Sequence, residues 1–190
     1  MARLTTITFS RDDLRYEIAI DLDDAAIVRN RLSFQVTASV TNERGRRHQE
    51  TLLLEVDLAE GLGKIYGPDQ NDPWYEFRLD AVPVLIEAGV EAVPIEGFDG
   101  VANFIHEGIG HRIAELIDLM PAPDPILGCA LKAGISSILG QTLACNEIVG
   151  REGGLRQRVR EIVRCLREHV GGIFTRALWR AARCMVTLGW

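Results

Sequence analysis

Hydrophobic and polar residues alternate along the first 58 positions of the chain. In LRYEIAID, Leu14, Tyr16, Ile18 and Ile20 fall on one side and Arg15, Glu17 and Asp21 on the other. LSFQVTASV repeats the pattern, with Leu32, Phe34, Val36, Ala38 and Val40 set against Ser33, Gln35, Thr37 and Ser39. Successive side chains of a strand point to opposite faces, so a period of two means strands with one buried and one wet face. TTITFS before these segments and TLLLEVD after them extend the series, and NERGRR (residues 42 to 47) is a polar turn. DLDDAAIVRN, between the second and third strands, reads as a loop or as one helical turn capped by Asp. Three to four antiparallel strands are expected.

Residues 58 to 80 lose the alternation and are rich in Gly, Pro, Asp and Asn, the composition of an irregular connection. Within them WYEFRL is a candidate short strand, with Trp74, Tyr75 and Phe77 pinning the connection to the core.

From residue 80 the period changes to that of a helix. Asp80 is placed to cap a helix ending near Gly89, and Val101, Ile105, Ile109, Ile113, Leu116 and Met120 stripe a second helix from about Phe98 to Met120. PAPDP breaks the chain, after which Asp124 can cap a third helix over 126–149 with Pro125 at its first position. That helix is apolar around most of its circumference and carries small residues in two rows: Ser136, Gly140 and Ala144, and Ala130 with Gly134. Small residues admit close approach, so this is expected to be the most buried helix, with Gly140 against another backbone. A membrane span is the competing reading, but Lys132, Gln141, Asn146 and Glu147 interrupt the stretch. Leu155, Val159, Ile162, Leu166, Val170, Ile173, Ala177, Ala181 and Met185 mark a final helix, which Gly171-Gly172 kinks or divides.

The chain is therefore expected to be α+β, an N-terminal antiparallel sheet of three to four strands followed by a C-terminal bundle of about four helices. The β region covers 1–79 and the helical region 80–190, in one compact domain.

Composition adds limits. At 47% hydrophobic and 25% charged over 190 residues, the chain can bury a core without disulfides or metals. Its start has no apolar run of a signal peptide, so a cytoplasmic protein is expected. Cys129, Cys145, Cys165 and Cys184 form no C-x-x-C pair, and in a reducing compartment they read as small buried hydrophobes, with a thiol nucleophile or a disulfide as the alternative. Nineteen of the 21 basic residues are Arg, the usage of a GC-rich bacterial genome.

Charge is unevenly spread. Residues 151–190 carry nine Arg and three Glu, net +6, against net −12 for residues 1–150. Arg156, Arg160 and Arg164 form a row beside the apolar stripe of the last helix. Such a split predicts a basic segment that meets an acidic one, the nearest being the first part of this chain or of a second copy.

Candidate chemistry centres on FIHEGIGHR, residues 104 to 112. A zinc protease needs H-E-x-x-H, whose histidines share a helix face; here His106 and His111 are five apart, about 140° around a regular helix, and would need a π-bulge to share an ion. Asn103, Glu107, His111 and Glu115 do share a face, so Glu107, His111 and Glu115 could contribute metal ligands, but a solvated face of Glu–His pairs explains them as well. Gly63-Lys64 lacks the rest of a phosphate loop, and Asp21-Leu22-Asp23-Asp24 lacks the Gly and Glu of a calcium loop. A net charge of −6 opposes nucleic acid.

These residues favour a non-catalytic cytoplasmic bacterial binding or assembly protein that needs no cofactor and self-associates through charge-complementary helical surfaces, with Arg156, Arg160 and Arg164 as interaction residues. The alternatives are a metal-dependent or histidine-based hydrolase using His106, Glu107 and His111, and a membrane-active effector using the C-terminal helices.

Overall fold

A computed structural model describes residues 1–27, 31–67, 69–78, 125–150 and 152–187. The helices expected over 80–89 and 98–120 lie outside these residues, as do His106, Glu107, His111 and Glu115.

The alternating segments fold into one antiparallel sheet whose strands lie side by side in chain order: β1 Ala2–Arg11, β2 Leu14–Leu22, β3 Arg31–Thr41, β4 Arg47–Asp57, β5 Leu62–Tyr66 and β6 Pro73–Arg78. The sheet has six strands, against the three to four expected. Residues 74–78 of the WYEFRL segment form most of β6, but β5 went unread because LGKIY is five residues long and its inward positions include Gly63, leaving only Ile65 as a hydrophobic signal. Its pairing with β4 (Leu54 opposite Ile65, Val56 opposite Gly63) extends the buried face past the end of the sequence pattern.

Local chemistry makes each hairpin. Asp12 and Asp13 between β1 and β2 have φ of 48° and 63°, the left-handed conformation of a two-residue turn that matches strand twist, and Asp tolerates it better than most residues. Asn42 Oδ1 accepts from Arg46 N at 2.9 Å and closes the β3–β4 turn. After β4, Asp57 Oδ1 accepts from Ala59 N at 3.0 Å and Glu60 N at 3.1 Å, and Gly61 at φ 66° completes the reversal. Between β2 and β3 the single helical turn α1, Asp24–Ile27, forms with Asp23 Oδ1 accepting from Ala25 N at 3.0 Å.

One face of the sheet is dry. Ile7, Ile18, Ile20, Phe34, Val36, Leu52, Leu54 and Ile65 are fully buried on it. Three helices cover this face: α2 Pro125–Val149, α3 Leu155–Glu168 and α4 Val170–Thr187. Helix α2 crosses the central strands β2, β3 and β4, α4 packs on α2 and β1, and α3 packs on α2. Leu127, Leu131, Ile135, Ile138 and Leu139 of α2 join the sheet residues and Val159, Ile162, Leu166 and Ile173 in a single cluster. Removing this much apolar surface from water is the main force holding sheet and helices together.

Helix α2 is the one described segment long and apolar enough to cross a membrane, and 94% of its apolar window is buried inside the protein. Its close approach to the sheet is at Gly134, not Gly140 as expected. A Cβ built on Gly134 would lie 2.5 Å from Val36 Cγ1 and 3.1 Å from Ile18 Cγ2, whereas one on Gly140 meets nothing within 4 Å. The Ala130–Gly134 row thus faces the sheet; its neighbours are side chains of β2 and β3, not another backbone.

The last apolar stripe is divided, as Gly171-Gly172 suggested, but the break falls at His169. That residue has φ −106° and ψ 20°, and its N–H bonds back to Cys165 O at 3.0 Å.

The cysteines depart from expectation. All four are paired, Cys129 with Cys184 and Cys145 with Cys165, and none is a free thiol. Their sequence spacing gave no sign of this. The pairs link α2 to α4 and α2 to α3, so they meet only once three helices lie against one sheet face.

Candidate interaction surface

Helix α3 buries Val159, Ile162, Val163, Cys165 and Leu166 and turns its charged residues outward. Arg156, Arg160 and Arg164 recur every fourth residue, so they line up along one exposed face. Among the described residues none of the three forms an ion pair. Arg160, Val163, Arg164, Arg167 and Glu168 line a shallow open groove of about 540 Å³. Arg167 closes one side through an ion pair to Asp24 of α1, Nη2 to Oδ1 at 3.6 Å. On the opposite flank of α3, Arg158 donates to Asn146 Oδ1 of α2 at 3.1 Å. The groove therefore presents two guanidinium groups with no carboxylate partner among the described residues, beside one that already holds a carboxylate. Guanidinium is a planar fork of N–H donors, and carboxylates and phosphates are what it binds in bidentate fashion.

Helix α4 supplies an apolar counterpart that the sequence reading passed over. Phe174, Leu178 and Val186 stand at i, i+4 and i+12, and with Trp179, 69% exposed, they face solvent. The signal was present in the spacing. It was hidden because the opposite stripe, Ile173, Ala177 and Ala181, is the one that the core needs and buries. A helix apolar on two sides has one side left over for something else.

The wet face of the sheet is chemically quieter. A pocket of about 80 Å³ there is lined by Arg31, Glu55, Asp57, Glu60, Lys64 and Tyr66. Both of its cations are already paired: Arg31 Nε lies 2.9 Å from Asp57 Oδ2, and Lys64 Nζ 3.1 Å from Oε1 of Glu76 on β6. Burial pushes the Tyr66 phenol above its ordinary value and Glu55 adds to the effect, while the bond to Glu76 raises Lys64. The phenol therefore stays protonated at neutral pH, and the lysine stays charged. In the helical layer, Lys132 of α2 is half-buried, and desolvation lowers its pKa.

Of the residues singled out from sequence, the structure places the arginine row together on one helix face. The histidine–glutamate set at 106–115 lies outside the described residues. Missed by the sequence reading were Arg167, the outer stripe of α4, and the gathering of Cys145, Cys165 and His169. No family model matches the chain, and neither a curated protein nor a solved structure shows significant similarity to it.

Proposed function

We propose that the protein is a non-catalytic binding or assembly protein that associates with a second copy of itself through its C-terminal helices. The observation that carries this reading is the exposed Arg156–Arg160–Arg164 row, which has no carboxylate partner among the described residues. Charge counting supplies the complement. Residues 79–124 hold nine acidic residues and one basic, net −8, so most of the −12 carried by residues 1–150 lies in that one segment. The exposed Phe174, Leu178 and Trp179 add apolar area of the kind that anchors protein contacts. Arginine–carboxylate pairs at the rim contribute little affinity, roughly 0 to 1 kcal/mol each, and act mainly by choosing partner and register.

Sedimentation velocity at low and high salt tests the proposal, using wild type, Arg156→Glu/Arg160→Glu/Arg164→Glu, and Leu178→Ser/Trp179→Ser. Wild type should self-associate at micromolar concentration, more weakly as salt shortens the Debye length from about 10 Å at 0.1 M to about 3 Å at 1 M. Both variants should be monomers that keep the wild-type circular dichroism. A wild type that is monomeric at every salt concentration sinks the reading. Binding of that monomer to anionic vesicles would move the same α4 face to a membrane surface, where exposed Trp179 among arginines also fits.

We also propose a cytoplasmic location; the burial of α2 argues only against a membrane span. The two disulfides weigh against that location, since such bonds persist mainly in oxidising compartments. Trapping thiols in cells broken directly into denaturant with a zinc chelator decides the matter: four alkylated cysteines place the chain in a reducing compartment, and none in an oxidising one.

A further inference from the structure

Cys145 of α2 and Cys165 of α3 meet beside His169, which follows Cys165 by one helical turn. A ligand atom from each of the three lies within 4.8 Å of the other two, and no other such cluster of three occurs among the described residues. Cys165 Sγ is 3.7 Å from His169 Nδ1. Two ligands bound at about 2.1 to 2.3 Å around a tetrahedral zinc are themselves about 3.6 Å apart, so this edge of a metal site already has its length.

We propose that, once the Cys145–Cys165 bond is reduced, Cys145, Cys165 and His169 hold one zinc ion, so that the same three residues alternate between a disulfide and a metal centre. A small dithiol supplies two electrons and two protons. The S–S bond opens to two thiols as the dithiol closes to its own disulfide. Zinc then displaces both thiol protons to solvent and bonds two thiolates and one imidazole nitrogen.

Three features of the surroundings suit that state. Zn²⁺ with two thiolates is electrically neutral, which matters because Cys145 is fully buried. Gln141, itself buried, donates from Nε2 to Cys145 Sγ at 3.7 Å, and Arg176 Nη1 holds the Gln141 Oε1 at 3.2 Å. An N–H aimed at sulfur, backed by a guanidinium, stabilises thiolate charge and orients the ligand. Finally, His169 Nδ1 now lies 2.8 Å from Cys165 O, a carbonyl that already accepts from the His169 backbone N–H at 3.0 Å. Turning the ring to a metal therefore leaves no orphaned acceptor. His169 is exposed, so the fourth coordination position opens outward, to water or to a ligand from elsewhere. The Cys129–Cys184 pair has no third ligating side chain in a comparable position among the described residues and serves as the internal control.

The test uses the whole chain under anaerobic conditions, oxidised or treated with dithiol and freed of it, and titrated with Zn²⁺ or Co²⁺. The reduced protein should take up one equivalent, with Co²⁺ giving thiolate charge-transfer and tetrahedral visible bands. The oxidised protein should take up none. Zinc should protect Cys145 and Cys165, but not Cys129 and Cys184, from alkylation, a readout that requires no variant. His169→Ala should remove the tetrahedral spectrum, and Gln141→Leu should weaken zinc by roughly tenfold. Cys129→Ser/Cys184→Ser should bind as wild type does. A reduced wild-type chain that takes up no zinc overturns the proposal, whether or not it keeps its helical circular dichroism. So does zinc binding that survives Cys145→Ser/Cys165→Ser, or protection that falls on Cys129 and Cys184.

Discussion

The sheet and the helices that cover it are held together in different ways. Every strand from β1 to β6 pairs with its neighbour in sequence, so the sheet assembles from local contacts. The helical layer has no such ladder. Helix α2 reaches the sheet only after the chain has passed through residues 79–124, and α2, α3 and α4 are joined by disulfides across 20 and 55 residues. Local pairing costs little loop-closure entropy; the helical layer carries a larger entropic cost, which the cross-links and the shared core offset. The sheet should therefore be the self-sufficient region and the helices the dependent one.

The largest test of that difference is removal of a cross-link. Cys129→Ala/Cys184→Ala opens the longer loop, and a chain-entropy estimate gives a loss of up to about 4 kcal/mol, against about 3 kcal/mol for the shorter one. Urea denaturation measures the total, and amide exchange locates it. Helical amides of α4 should lose protection first while those of β2, β3 and β4 keep theirs. Equal loss in both layers would mean that the sheet leans on the helices as much as they on it.

A second comparison separates two glycines of one helix. At Gly134 the added methyl of Gly134→Ala meets Val36 Cγ1, and overpacking of this kind costs about 1 to 3 kcal/mol, only partly offset by the better helix propensity of alanine. At Gly140 there is room, so Gly140→Ala should raise stability by up to about 1 kcal/mol. Thermal midpoints of the two variants should move in opposite directions. Identical shifts would place the seam between α2 and the sheet elsewhere.

The smallest effect concerns Lys132. Burial lowers its pKa in the folded protein below the ordinary 10.5, so in the interval between the two values the unfolded chain binds more protons. Stability therefore rises with pH through that interval and levels off above 10.5; below the folded value the full penalty stands. Lys132→Met should relieve the penalty, by less than about 1 kcal/mol because half of the side chain remains solvated, and should flatten the alkaline rise. An unchanged pH profile would show that the ammonium reaches water.

The strands that alternate cleanly, β2 and β3, were legible with their facing residues because a period of two has one structural meaning at that length. β5 was not, since five residues with a glycine at an inward position leave too little pattern; its pairing with β4 on one side and β6 on the other makes it a strand. For the candidate surface, the arginine row was legible from its i+4 repeat, and the outer stripe of α4 was not, because sequence spacing cannot say which of two apolar stripes the core will use.

By itself the sequence determined the α+β class, the dry face of the central strands, the span of α2 and the charge split. These depend on periodicity and composition, which are properties of neighbours along the chain. Tertiary structure alone decided the cysteine partners, the role of Gly134 over Gly140, and the meeting of Cys145 and Cys165 with His169. Those depend on how α2, α3 and α4 lie across one sheet face, and residues 20 to 55 positions apart carry no local trace of that packing.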